Sequence, residues 1–378
     1  MQFVFYTHSL VSDWNHGNAH FLRGVMRALL ARGQTAIALE PKNGWSRQNL
    51  EKDQGEAALH KFENRFPDLR SIVYDDSFDH EDMLASADAV IVHEWTDPGL
   101  VSRIGQIRKR GEKFTLLFHD THHRAVTAGS EIAGLDLDGY DGVLAFGESL
   151  RQRYLDAGWG RHAFVWHEAA DVSVFHPLPE IQKKRDIIWI GNWGDGERSE
   201  EILKFFVTPA SHLLLKATVR GVRYPAEALA KLEEEDIDYG GWIANCDVPQ
   251  AFAEHRVTVH IPRRPYTESL PGIPTIRVFE ALACGIPLIS APWDDAEGLF
   301  RAGEDFLMAR NGTDMERHLL NVLNDPDTAA ALAESGLETI RARHTCGHRA
   351  DELLAIVAGL KSPEAEPNRP KATTEPLQ

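Results

Sequence analysis

Residues Pro271–Pro292, PGIPTIRVFEALACGIPLISAP, restrict the fold more than any other stretch of the chain. A Pro/Gly turn leads to Pro274 and Thr275, which suit a helix start because proline lacks only an amide proton that the first turn leaves unpaired. Ile276, Val278, Phe279, Leu282 and Ala283 then make an apolar helix face. Gly285 stops the helix, Pro287 prevents its return, and Leu288–Ser290 begin a short buried strand. Free amides and the positive dipole end at the helix start suit a phosphate. Glu280, a turn and a half further in, offers a carboxylate to ribose hydroxyls. Taken alone, such a loop and helix serves as scaffold as often as it serves as a site.

The rest of the chain follows an α/β grammar. Gln2–Tyr6 reads as a strand, His20–Arg32 as an amphipathic helix and Thr35–Glu40 as the next strand, a βαβ unit. The intervening loop contains Gly17 and Asn18 but no GxGxxG, so a dinucleotide fingerprint is absent. Further strands are expected at Ser71–Tyr74, Ala89–His93, Phe114–Phe118, Val143–Phe146 and Ala163–Trp166. The fifth runs into His119, Asp120, Thr121, His122 and His123, at the strand end where an open parallel sheet binds ligands. Substrate contact is the first reading of that cluster, helix capping the second and a metal a distant third, because the spacing matches no known ligand pattern.

A second α/β unit begins at Asp186. Its first turn, Asn192–Arg198, is a glycine-rich anion cradle with one cation, Arg198. Later strands lead into Gly240–Asn245 and into Arg263. The expected layout is an acceptor-side α/β domain over 1–175, a linker over 176–185, and a ligand-binding α/β domain over 186–345. A terminal helix over 346–361 and a disordered tail over 362–378 complete it. Two doubly wound domains would face each other across a cleft, with His119 meeting Arg198, Arg263 and Glu280.

Composition removes several classes. A net charge of −17 argues against a general nucleic-acid binder. Cys246, Cys284 and Cys346 show no paired spacing, which suits a reducing compartment. No signal peptide and no 18-residue apolar run is present, so a soluble cytoplasmic protein is expected. Arg23 and Arg27 are candidates for peripheral membrane contact, with helix solvation preferred.

These motifs resemble the GT-B glycosyltransferases, the retaining branch with an E-x7-E motif, and more closely the CgeB-type (spore-maturation-like) enzymes. GIPTIRVFEALACGIPLISAPW over Gly272–Trp293 carries most of the resemblance. HEAADVSVFHP resembles the family hinge, with Asp171, Phe175 and Pro177 in register. FHD at Phe118–Asp120 resembles a donor-contacting histidine motif. WIGNWGDGERS resembles a phosphate loop, with Asn192 at its Arg position and Arg198 near its Lys position.

The resemblance implies a GT-B fold and sugar transfer from a nucleotide-diphosphate donor to a glycan, lipid-linked or protein hydroxyl. Glu280 would hold the ribose, Thr275, Ile276 and Arg277 with Arg198 the diphosphate, and Gly241 and Trp242 the base. His119 would meet the donor sugar, with Gly17 and Asn18 near sugar and phosphate. No cofactor and no metal is expected, because these groups supply the positive field. The first Glu of the motif is replaced by Gly272, which leaves the choice of sugar and of retention open. Inversion would need a base, with Asp13, His16, His119 and Asp120 as candidates. Two rival functions remain: a nucleotide-sugar epimerase and a non-catalytic sugar-nucleotide-binding protein.

Overall fold

The computed structural model describes residues 1–361, so the expected tail at 362–378 lies outside the described residues. The first sheet contains β1 (Gln2–Tyr6), β2 (Thr35–Pro41), β3 (Arg70–Tyr74), β4 (Ala89–His93), β5 (Thr115–Asp120), β6 (Gly142–Ala145) and β7 (Ala163–Val165). Its order is β3-β2-β1-β4-β5-β6-β7, with every pairing parallel. The second contains β8 (Arg185–Ile190), β9 (Ala217–Arg220), β10 (Asp238–Tyr239), β11 (His255–His260), β12 (Leu288–Ser290) and β13 (Leu307–Met308). Its order is β10-β9-β8-β11-β12-β13, again parallel throughout.

Helices cover both faces of each sheet, which is why β1 can be apolar on both sides. Phe3 and Phe5 enter the core layer that also holds Phe21 and Val25, while Val4 and Tyr6 enter the opposite layer. Side chains alternate across a strand, so one run of sequence feeds two cores. In both sheets the order reverses beside the first strand, between β1 and β4 and between β8 and β11. Ligands bind outside the carboxyl ends of strands at such reversals.

The last described helix, Cys346–Lys361, belongs spatially with the first domain. It packs on the Asn18–Ala31 helix so closely that a Cβ on Gly24 would lie 2.5 Å from Cys346 Sγ. Arg32 binds Asp351 through two bonds of 2.6 Å, and Trp166 Nε1 donates to the Arg349 carbonyl at 2.9 Å. The outgoing and returning connections run side by side: Ala170 N donates to His344 O at 3.0 Å and Cys346 N to Ala170 O at 2.9 Å.

Several elements differ from the sequence expectation. The polar stretch Gly44–Phe66, which reads as helical by sequence, is two helices, Trp45–Gln54 and Ala57–Arg65, broken at Gly55 with φ 77°. A strand reads from sequence over Leu213–Arg220, but β9 starts only at Ala217 because Leu214 takes a left-handed turn. Arg23 is neither membrane-facing nor solvated: it is buried, donates to Asp13 Oδ2 at 2.8 Å and to the carbonyls of Leu10 and Val11, and lies over the Phe62 and Phe66 rings. Arg27 is turned toward Asp68, Asp171 and Ser173.

Candidate functional site

A cavity of about 1070 Å³ lies between the domains where the two reversal points face each other. The loops after β1 and β4 line one side, the loops after β8 and β11 line the other, and Thr275–Arg277 close one end. Non-glycine residues rarely take left-handed backbone, yet Asn15, Asp195 and Arg223 do so and all three line this cavity. The domains meet closely here: a Cβ on Gly17 would lie 2.9 Å from Ile276 Cγ2, and Asn192 Nδ2 donates to Asn15 Oδ1 at 2.7 Å.

The wall from the second domain is cationic. Buried Arg198 donates to the Ile261 carbonyl at 3.1 Å and to Asn192 Oδ1 at 2.7 Å, and lies 5.0 Å over the Trp189 ring. Burial first, then the neighbouring Arg263, bring its pKa down to about 9. Arg263 shares Asn192 Oδ1 at 3.0 Å and pairs with Glu197. Arg277 pairs with Glu280. The Nε atoms of Arg198 and Arg277 are buried donors without a partner. Such donors are costly unless something accepts from them, so this wall suits an anion.

The wall from the first domain carries no cation at neutral pH. Its histidines His8, His16, His93, His122 and His123 all have lowered pKa values, with burial as the main cause. His16 Nε2 faces the Ser9 carbonyl at 3.0 Å and must donate to it, which leaves Nδ1 with its lone pair. Glu168 accepts from Asn18 Nδ2 at 3.3 Å, and burial raises its pKa to about 8. The residue-by-residue reading of the hinge missed it; its signal was a lone carboxylate in the polar run after β7.

Nine of the expected donor-binding residues line the cavity, Gly17, Asn18, Asn192, Arg198, Trp242, Arg263, Thr275, Ile276 and Arg277, as do the candidate bases Asp13 and His16. Four expected site residues do not, and each has a physical reason. His119 lies behind the wall in an aromatic box, 4.8 Å from the Trp166 ring centre and 5.7 Å from that of His93, with its pKa lowered to about 3 by burial. Asp120 is spent on the Tyr154 hydroxyl at 2.7 Å and the His122 amide at 3.0 Å. Gly241 uses its carbonyl to hold the Gly221 amide at 2.8 Å, while its neighbour Trp242 faces the cavity. Glu280 is fully buried, engaged by His20 Nδ1 at 2.9 Å and by Arg277.

Gly272, at the position of the missing motif carboxylate, has φ 87°. A Cβ there would meet Glu297, which is held by His167 Nε2 at 2.8 Å and by the Glu148 amide at 2.9 Å. Among the described residues, no group of three or more His, Cys, Asp or Glu is placed to hold a metal ion.

Solved structures with this architecture span nearly the whole chain. Sucrose-phosphate synthase from Thermosynechococcus elongatus superposes with a TM-score of 0.65 at 14% identity, over 95% of this chain and 99% of its own. HepE from Anabaena, in complex with UDP and glucose, gives 0.66 at 14% identity over the same shares. The fold is GT-B. An alpha-glucosyltransferase in complex with UDP and a DNA 13-mer shares it, with a TM-score of 0.67 at 10% identity over 95% and 99%. Within the GT-B frame, residues 198–355 match a family model described as glycosyl transferase-like. That segment begins at Arg198 and carries the whole cationic wall. No curated protein sequence matches the chain. No described helix is long and apolar enough to cross a membrane.

Proposed function

We propose that this protein is a glycosyltransferase that takes its sugar from a nucleotide-diphosphate donor, with a UDP-sugar as the first candidate. One observation carries the reading: Arg198, Arg263 and Arg277 line one wall of a cleft between two GT-B domains, and the buried Nε donors of Arg198 and Arg277 have no partner. The family match over 198–355 and the UDP held by HepE support it.

In this reading Arg198, Arg263 and Arg277 bind the diphosphate, and Trp242 meets the base. Charge grows on the diphosphate as the sugar leaves, and preorganised guanidinium groups stabilise it without reorganising. They supply the field a metal would otherwise give, so transfer is metal-independent. The departing diphosphate takes the proton of the incoming hydroxyl, which retains configuration and requires no enzymatic nucleophile. Glu168, whose pKa of about 8 keeps it largely protonated at neutral pH, donates to a donor-sugar hydroxyl in place of the carboxylate that Gly272 lacks. The three unpaired cysteines fit a cytoplasmic setting.

The test is thermal stabilisation by UDP-, GDP-, dTDP- and ADP-sugars with and without EDTA, on wild type and on Arg198→Lys. A ligand at ~100 times its dissociation constant adds roughly 2.7 kcal/mol to folding stability. One nucleotide should stabilise wild type, with or without EDTA, and lose most of that effect in the variant. Absence of any shift in wild type would overturn the proposal.

A further inference from the structure

The two walls of the cavity are chemically opposite, and the wall from the first domain, Glu168 apart, has not yet been given a ligand. Its lining contains no lysine, no arginine and no aliphatic side chain; apart from Gly17 it is built of aromatic rings, histidines, Asn, Thr and two carboxyl groups. The indoles of Trp45 and Trp95 remain 43% and 46% exposed at its rim, unusual for the largest apolar side chain. Trp45 is buttressed edge-on by Trp14, whose ring centre is 5.0 Å away. Arg124 covers one face of Trp95 at 4.0 Å, but its charge is turned to the Glu94 carbonyl and toward Glu131.

The unsatisfied atoms point the same way. On the cationic wall they are donors, the Nε atoms of Arg198 and Arg277. On this wall they are His122 Nδ1, His123 Nε2 and the carboxylate oxygen Asp13 Oδ1, whose other oxygen, Oδ2, is held by Arg23 and the Asn245 amide. A carboxylate oxygen can only accept, so its missing partner is a donor such as a hydroxyl. A phosphorylated lipid needs cations and an aliphatic trough, and this wall has neither. A nucleic acid would meet a chain of net charge −17.

We infer that the ligand of this wall is an uncharged carbohydrate, its C–H face against Trp45 or Trp95 and a hydroxyl donating to Asp13 Oδ1. The transferase proposal makes that carbohydrate the acceptor; the binding itself does not depend on it. Flat rings offer a sugar face a large rigid contact at little conformational cost, and planar polar groups between them take its hydroxyls.

Saturation-transfer NMR on the full chain with UDP present would test this. The probes are maltose, chitobiose and lactose, set against glucose 6-phosphate and geranyl phosphate. At least one neutral disaccharide should receive saturation, strongest on its ring C–H protons. Trp45→Ala or Trp95→Ala should weaken that disaccharide at least tenfold; both positions are exposed, so the fold survives. The inference is overturned by transfer only to the phosphates, by no transfer to any probe, or by saccharide binding indifferent to both substitutions. UDP-induced stabilisation measured on the same wild-type samples reports the cationic wall separately, so failure of the donor reading and failure of this one are distinguishable.

Discussion

His20 Nδ1 donates to Glu280 Oε1 across 2.9 Å, joining the first helix of one domain to the Ile276–Ala283 helix of the other. The tautomer is fixed by the opposite nitrogen: the Asp171 amide donates to His20 Nε2 at 2.9 Å, so Nε2 carries no proton. Phe175 stacks on the ring at 4.0 Å, and the second Glu280 oxygen holds Arg277. One carboxylate therefore ties the hinge, the first domain and a cavity-lining arginine together.

That arrangement separates two roles for Glu280. A residue that only touched ribose would affect nucleotide affinity and leave the empty protein's stability alone. As a buried strut, Glu280→Ala should cost about 3–5 kcal/mol in urea unfolding without nucleotide, because it leaves a buried charge unpaired. Glu280→Gln should cost less, since an amide oxygen still accepts from His20. Unchanged unfolding midpoints in both variants would return Glu280 to the ribose.

Arg198→Ala should weaken UDP binding by about 10- to 100-fold in calorimetry, the equivalent of a charge-assisted bond worth roughly 1.5–3 kcal/mol. The loss should exceed that of Arg223→Ala, because Arg223 is half-exposed and already paired with Asp195 at 3.0 Å. Equal losses would show that long-range charge, rather than the buried guanidinium, binds the diphosphate.

Burial raises the Glu168 pKa to about 8, so the folded state keeps a proton that the unfolded chain releases. Its contribution to stability is therefore present at acid pH and is lost as pH rises through about 8, at a slope of at most about 1.4 kcal/mol per unit. Glu168→Gln should flatten that dependence, raising Tm relative to wild type at pH 8.5 and changing it little at pH 5. A parallel offset at both pH values would count against a protonated Glu168.

Gly17→Ala places a methyl 2.9 Å from Ile276 Cγ2, where the two domains touch. The side chain or the loop must give way, at about 1–3 kcal/mol for an overpacked contact. The expected readout is a higher KM for donor with a smaller change in kcat, measured by steady-state kinetics. An unaltered KM would mean that the domains do not close to this distance during turnover.

The layered fold was legible because β1, β4 and β8 are apolar on both faces, a pattern that only a parallel sheet covered on both sides satisfies. The glycine-rich turn with Arg198 and the Pro-capped helix start at Thr275, which both line the cavity, declare themselves locally too. His119 and Glu280 lie off the cavity lining for one shared reason. One stands at a strand end and the other in a helix whose start lines the cavity, yet a long-range partner, Trp166 or His20, packs against each. Spacing along the chain carries no record of such partners. Glu168 was missed for the converse reason: burial raises its pKa against the opposing hydrogen bonds from Asn18 and Ile276, and those two neighbours lie 150 and 108 positions away in sequence.

The docking of Cys346–Lys361 on the Asn18–Ala31 helix sets an order of assembly during synthesis. The domain that leaves the ribosome first is the one completed last, because its outer layer waits for the final helix. Until then Phe21 and Val25 lack part of their cover, while the middle of the chain already holds every strand of its own sheet. Nascent chains arrested after residue 345 should thus yield a protease-resistant core from the second domain and a cleavable first one; equal resistance of both would refute that order.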